Sequence, residues 1–550
     1  MASLELSNHR NEHPTRREVL QGALCLGVAA GLSGCRVPGA RRAIQGSIVG
    51  AHDVRGHRVR ADWPNAPVLS REELEVLIVG GGVSGLAAGW RLQGAGLQDF
   101  QILELEDSLG GTAQSGASEI SQYPWGAHYL PVPRADQHLV VRLLREMGLV
   151  TGVDGLGRIL TPEEARVRAP QERLFHRGLW TEGLYLRDGA SASDLGQLER
   201  FEFTVRCMAS VAGVDGRRSF TLPIADCSRD PAVRGLDRLS MRQWLDMHGF
   251  DSPRLRWYVE YACRDDFGAT LEHTSAWAGL HYYCSRLDAE GEPAEFLTWP
   301  EGNSALAQAL ARGFENRVRT GMVVLSIEGD GDSARVVAMD ERAGGLREVR
   351  ARRVICAIPR YVASRIVRGA DPRPAAAFRY SPWCVANITL RGQPRETGFP
   401  LCWDNVLFES SSLGYVVSTH QLDRLEGGSV WTWYRPHAEE DPAVARAALL
   451  ARPWEAHRDE VLRDLGRAHP GFADEVDRID VWRWGHGMVR PEPGFLFGRA
   501  RQLAARPYKN IHFASADLSG IPIFEEAQWQ GARAAEEVLA ARGQTFTSWL

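Results

Sequence analysis

The sequence predicts an α/β fold, and three observations carry the prediction. Residues Glu75 to Gly111 run as a short apolar strand, a Gly-x-Gly-x-x-Gly turn, a helix and a second strand ending in an acid. A stretch in the middle of the chain gives a strand over Met322–Glu328, a polar hairpin and the apolar run Val354-Ile355-Cys356-Ala357-Ile358-Pro359. The carboxyl end gives a short strand Asn510–Phe513, a turn Ala514–Asp517 and an alanine-rich helix Glu525–Ala541. Strands that alternate with helices need crossover connections, which place a mostly parallel sheet between helical layers.

In chain order, the first segment belongs to targeting and not to the fold. Thr15-Arg16-Arg17-Glu18-Val19-Leu20-Gln21 resembles a twin-arginine export signal, and the small apolar stretch Gly22–Gly34 is too short for an ordinary membrane span. Leu32-Ser33-Gly34-Cys35 resembles a lipobox, which makes Cys35 the candidate lipidated first residue of the mature protein. Residues 1–35 are therefore read as the signal and 36–70, rich in Arg, Pro and Gly, as a linker or strap. The expected location is the periplasm or its membrane surface.

The glycine unit comes next. Gly80 permits the tight turn, Gly82 lets the backbone approach a pyrophosphate, and Gly85 lets the helix pack closely on its strand. The helix N-terminus then faces phosphate oxygens. Glu104 lies at the end of the strand Phe100–Leu103, where a carboxylate accepts hydrogen bonds from ribose hydroxyls. These residues point to a Rossmann-like dinucleotide-binding unit.

Just past Glu104, the run Asp107, Ser108, Leu109, Gly110, Gly111 and Thr112 resembles the flavin-containing amine oxidase and protoporphyrinogen oxidase superfamily. The resemblance implies FAD, with Gly110 and Gly111 running under the pyrophosphate and flavin. The family often has Arg after the glycine pair; here Thr112 offers one hydroxyl. By the same resemblance, Val324 offers backbone hydrogen bonds to adenine and Asp517 approaches the ribityl and pyrophosphate region. The backbone near Phe524 takes the flavin pyrimidine, where unpaired amides at a helix start stabilise an anionic reduced ring. Ala516 stands where the family usually has Gly. The likeness covers most of residues 71–545. It implies an FAD-binding domain of 71–130, 297–379 and 497–545, interleaved with an α+β substrate domain of 131–296 and 380–496.

Composition narrows the function classes. The content is 44% hydrophobic and 24% charged, with a net charge of −5 and a pI near 6.4, so nucleic acid is not an expected partner. No zinc-type Cys/His spacing, Walker-type loop or solenoid repeat is present, and no metal site is expected. Nine cysteines leave seven once Cys25 and Cys35 are set aside, with no Cys-x-x-Cys pair among them. No Cys follows Cys402, so the carboxyl-terminal cysteine that carries flavin covalently in monoamine oxidases has no counterpart and FAD is expected to be non-covalent. Lys509 is the single lysine, and it is misplaced for the flavin-N5 lysine used by many amine oxidases of the family. Reoxidation by oxygen, or by a quinone or other membrane acceptor, stays open.

The substrate region is aromatic, with Trp257, Tyr258, Tyr261, Trp383, Trp403, Trp431, Trp433, Trp482 and Trp484 among its rings. Three polar candidates stand out. Gly126-Ala127-His128-Tyr129 passes beside the ring by resemblance, so His128 is a candidate base or positioning group. Arg264-Asp265-Asp266-Phe267 offers a paired acid and base that could recognise a charged substrate group. Trp484-Gly485-His486-Gly487-Met488-Val489-Arg490 is expected at the active-site mouth, with a surface loop the alternative, and His486 is the second catalytic candidate. The expected reaction is hydride transfer from a C–N or C–C bond to flavin N5. A carotenoid-type desaturase and a non-catalytic FAD-binding membrane partner share the same cofactor motifs and remain alternatives.

Overall fold

Two sheets organise the chain in the computed structural model, which describes residues 43–60, 66–288, 290–422 and 427–550. Arg16, Arg17 and Cys35, and with them the expected export signal, lie outside the described residues.

The first sheet has seven strands. Its order is 318–319, 100–103, 68–79, 345–356, 334–340 and 322–329, and the strand Ile511–Phe513 also pairs with Gly345–Cys356. The four strands 318–319, 100–103, 68–79 and 345–356 run parallel to their neighbours, as does Ile511–Phe513, while 334–340 and 322–329 form an antiparallel extension. Val76, Leu77, Ile78 and Val79 are buried on both faces, as a central parallel strand requires. The helix Val83–Gly94 is buried over almost its whole length, including Leu86, Ala87, Trp90 and Leu92. It packs between the sheet and the carboxyl-terminal helix Phe524–Ala541, and small residues at the contact (Ala87, Ala88, Ala527, Gly531) let the two axes come close. The last residues close over this pair: Trp549 meets Trp90 edge-on at 4.7 Å and lies under the guanidinium groups of Arg91 and Arg142.

The second sheet has eight strands in the order 48–50, 476–489, 380–390, 429–436, 415–417, 404–407, 172–176 and 179–182. Antiparallel pairing dominates, and helices Ala192–Ser210, Pro253–Phe267 and Ala276–Cys284 belong to the same lobe. Ser191 and Asp194 form a capping box at the first of these helices, and Ser252 with Pro253 opens the second. The α/β class with a Rossmann-like domain and an α+β lobe is the observed architecture. The strands Tyr129–Pro131 and Phe296–Thr298 pair antiparallel, apart from both large sheets.

Residues 36–70, read as a linker, hold regular structure in their described part. Ile48–Gly50 forms a strand parallel to Val476–Val489, Asp53–His57 a helical turn and Arg58–Arg60 a 3-10 turn, and the strand Val68–Val79 begins before residue 71. Ile44 and Ile48, four residues apart among polar neighbours, pack on the core around Trp454 and Ile479. So short an apolar signal does not stand out from a flexible tether. The seven described cysteines form no disulfide, and all but Cys207 are buried. No helix of the described residues is long and apolar enough to cross a membrane.

Candidate functional site

A cavity of about 560 Å³ runs between the two lobes. Gly80, Gly82, Glu104, Gly110, Gly111, Thr112, Val324, Asp517 and Phe524 all line it, as do His128 and His486. Residues spread over more than four hundred positions of sequence thus converge on one cavity.

The nucleotide end is built from backbone. Gly80 has φ +105°, and a Cβ there would come within 2.5 Å of the Ala357 carbonyl oxygen. Gly85, the glycine that does not line the cavity, packs inward, where a Cβ would sit 1.9 Å from the Gly80 oxygen. Gly82 differs: a Cβ would meet nothing closer than Gly111 Cα at 3.8 Å, because this residue faces open cavity. It is also the N-cap of the helix Val83–Gly94 and supplies no side chain, so the first-turn amides remain available to an anion. This cradle fits the diphosphate of a dinucleotide.

Glu104 follows the strand Phe100–Leu103 and lines the cavity. Its two carboxylate oxygens accept backbone N–H groups from Gly81 at 2.6 Å and Glu106 at 2.7 Å, and burial pushes its pKa up to about 7 against those bonds. Val324 lies at an irregularity in the ladder between 322–329 and 334–340, where the register shifts and main-chain groups can turn toward a ligand edge. Asp517 accepts the Tyr380 hydroxyl at 2.5 Å and the Arg360 N–H at 2.9 Å, and burial raises its pKa. The helix Phe524–Ala541 starts at the cavity with no side-chain cap, so its dipole's positive end is open there.

The substrate end is built from rings and acids. His128 stacks on Tyr434 at 5.0 Å and contacts Tyr129 and Trp403. Its Nδ1 lies 3.4 Å from the Gly126 carbonyl, which can only accept, and the tautomer that satisfies this contact has the proton on Nδ1 and the lone pair on Nε2. Burial drives the ring's pKa down to about 4, making it neutral at pH 7. His486 lies apart from it, flat on Tyr361 at 3.9 Å, with its pKa lowered to about 3 by burial and by Arg446 and other basic neighbours. It lines the cavity from the strand Val476–Val489, so the surface-loop alternative falls.

The expected pairing within Arg264-Asp265-Asp266 does not form. Consecutive helical residues point about 100° apart and cannot face one another. Arg264 turns instead to the Ser411 carbonyl and Glu439, while Arg286 grips Asp266 through one nitrogen at 2.7 and 2.9 Å. Asp265 is left with no guanidinium of its own. Burial, and then the neighbouring Asp266 charge, raise its pKa to about 7 against the nearby Arg286 charge and the Tyr129 hydroxyl. Behind it, the Tyr261 hydroxyl donates to Asp404 at 3.3 Å. Arg286 and Tyr361 were not singled out in the sequence, and neither were Arg365, Arg446 and the segment Ala51–Arg60, because no motif marks them; all of them line the cavity.

Known proteins point the same way. A family model described as flavin containing amine oxidoreductase matches residues 83–539. Oxidoreductase PigB of Serratia sp. (strain ATCC 39006) is 22% identical over 296 residues, which span 49% of this chain and 41% of the relative's length. Among solved structures, putrescine oxidase bound to putrescine aligns with TM-score 0.63 at 19% identity, covering 86% of this chain and all of its own. Cyclohexylamine oxidase from Brevibacterium oxydans IH-35A gives 0.59 at 16% identity, covering 84% and 99%. A fatty acid isomerase from P. acnes gives 0.54 at 15%, covering 85% and 98%. At such identities these structures share the fold.

Proposed function

The chain belongs to the flavin containing amine oxidoreductases, a flavin-dependent oxidoreductase family, and from that premise we propose that it oxidises a primary or secondary amine with tightly held, non-covalent FAD. The observation that supports an amine is Asp265, a cavity-lining carboxyl that forms no ion pair among the described residues, the nearby Arg286 being bonded to Asp266, and that is set beside Tyr129 in a wall of aromatic rings. A carboxyl held near pH 7 by burial ionises when an ammonium group arrives, and the ion pair forms where water is excluded. The rings of Tyr129, Tyr434 and Trp403 supply apolar area and π faces for the alkyl chain and its charge.

Bound flavin supplies the two-electron acceptor for the hydride that leaves the carbon next to nitrogen. The chain's own groups bind, orient and deprotonate. Asp265 pairs with the ammonium and, with its carboxyl raised to about 7, is the stronger base of this wall and takes the proton before the C–H bond breaks, while neutral His128 orients the amine by accepting a hydrogen bond. The ring stack around His128 keeps water from the reacting carbon. Export by the twin-arginine route, with a lipid on Cys35, suits this reading because that route carries proteins folded around a cofactor. Oxygen or a membrane quinone serves as the final acceptor.

An anaerobic donor panel tests the proposal. Amines are expected to bleach the flavin absorbance while amino acids with blocked nitrogen and polyenes leave it unchanged. Bleaching by polyenes alone would move the protein to the desaturases, and no bleaching by any donor would make it a binding protein.

A further inference from the structure

The segment Ala51–Arg60 spans the cavity from one lobe to the other. At its start it leaves the strand Ile48–Gly50, paired with Val476–Val489 of the substrate lobe. It then ties onto the residues just after Glu104: Arg55 donates to the Leu105 carbonyl at 2.9 Å and to Asp107 at 3.3 Å, and His52 meets Glu106. Val59 packs into the core that contains Met322 and Val324. The segment lies over the cavity like a strap whose far end is fastened to the adenosine side.

This strap delivers charge. His57 and Arg60 line the cavity together with Arg365, Arg446 and His486; both histidines sit within electrostatic reach of all three arginines, and Arg446 within reach of Arg60. Among the described residues Arg60, Arg365 and Arg446 make no ion pair, whereas the nearby acids Asp53 and Asp441 are occupied by Arg483 and Arg379. Arg60 and Arg365 are exposed and Arg446 half-buried, so water solvates the cluster as it stands, and an anion seated in the cavity among them gains attraction from all three.

We infer that the strap is a cofactor clamp: Arg60 and His57, with Arg365 and Arg446 from the two lobes, form a basic cradle for the FAD diphosphate that is complete only when residues 51–60 are docked. The inference rests on FAD occupying the cavity. Each guanidinium then forms a charge-assisted contact, worth about a factor of ten in retention, and these contacts are screened by salt.

Release of FAD from the holoprotein, followed as recovery of free-flavin fluorescence after dilution, tests the clamp. Arg60→Ala and Arg446→Ala are expected to release FAD about tenfold faster at low salt, with the gap to the native protein closing as salt rises. Arg55→Ala, which loosens the fastening without touching the cradle, is expected to speed release at every salt concentration, and Arg446→Lys to restore most of the retention. Should an alanine variant fail to fold, the exposed Arg365→Gln replaces it. Native release rates and native salt dependence in folded Arg60, Arg365 and Arg446 variants would overturn the clamp. A native protein that holds no FAD would instead overturn the reading on which the clamp depends.

Discussion

On its nucleotide side the cavity is faced by main chain, through the Gly80–Gly82 turn, the Gly110–Gly111 pair and two uncapped helix starts, whereas its substrate side is faced by side chains such as Asp265, His128, Tyr129 and Tyr434. A wall of main chain tolerates few residue types, because only glycine leaves the space or adopts the dihedral. A wall of side chains is set by packing partners far away in sequence, and many combinations of rings and acids can fill it. The nucleotide wall therefore identifies a cofactor class, while the substrate wall carries specificity.

The sharpest way to break this contrast is at the glycines themselves. Gly85→Ala forces a Cβ to 1.9 Å from the Gly80 oxygen and is expected to cost more than about 3 kcal/mol of stability, read as loss of soluble protein or a large drop in thermal midpoint. Gly82→Ala, with no protein atom closer than 3.8 Å to the new Cβ, is expected to leave the fold intact while weakening FAD about a hundredfold or more in a flavin titration. Equal thermal losses in the two variants would erase the distinction between a packing glycine and a ligand-facing one.

On the substrate wall, Asp265→Asn is expected to lower kcat/KM for amines by about 100-fold or more, the effect of removing one partner of a desolvated charge pair, with FAD content unchanged. A loss of FAD along with activity would show that the carboxyl supports the fold and does not select the substrate.

Acid burial gives a smaller and pH-dependent effect. Glu526 is fully buried and accepts the Ile224 N–H at 2.5 Å, and burial pushes its pKa from 4.5 to about 7. The folded state thus favours the protonated form: the associated stability is complete below pH about 4.5 and is lost as pH rises through about 7. Glu104 and Glu525, also raised to about 7 by burial, act with the same sign. Urea midpoints are expected to fall across this window, and Glu526→Gln to flatten the fall by up to about 3 kcal/mol. A slope unchanged by the substitution would assign the effect to the other two acids.

The smallest expected effect lies outside the cavity. Trp549→Ala removes one ring from Trp90 and two guanidinium contacts, a loss of about 1 to 2 kcal/mol in thermal stability with FAD affinity retained.

The same contrast explains what the sequence made legible. Gly80, Gly82, Gly85 and Glu104 announce themselves because their spacing reflects a strand, a turn and a helix in immediate succession, and the structure brings the expected Val324, Asp517 and Phe524 to the same cavity. His128 and His486 could be marked as candidates, but only the fold shows one among Tyr434 and Trp403 and the other against Tyr361 in a basic surround. Asp265 was visible with the wrong partner: adjacency in sequence suggested Arg264, while helical geometry leaves Asp265 to the cavity and gives Arg286 to Asp266. The strap was hidden for a different reason, since three residues of strand and five of helix are shorter than any periodicity can register.

The strand Ile48–Gly50 has one further consequence. By lying along Val476–Val489 it covers the amides and carbonyls of a long outer strand that would otherwise present a ready template for a second polypeptide. Cleavage of the chain shortly after residue 50 would expose that border, and the shortened protein is expected to self-associate in a concentration-dependent way.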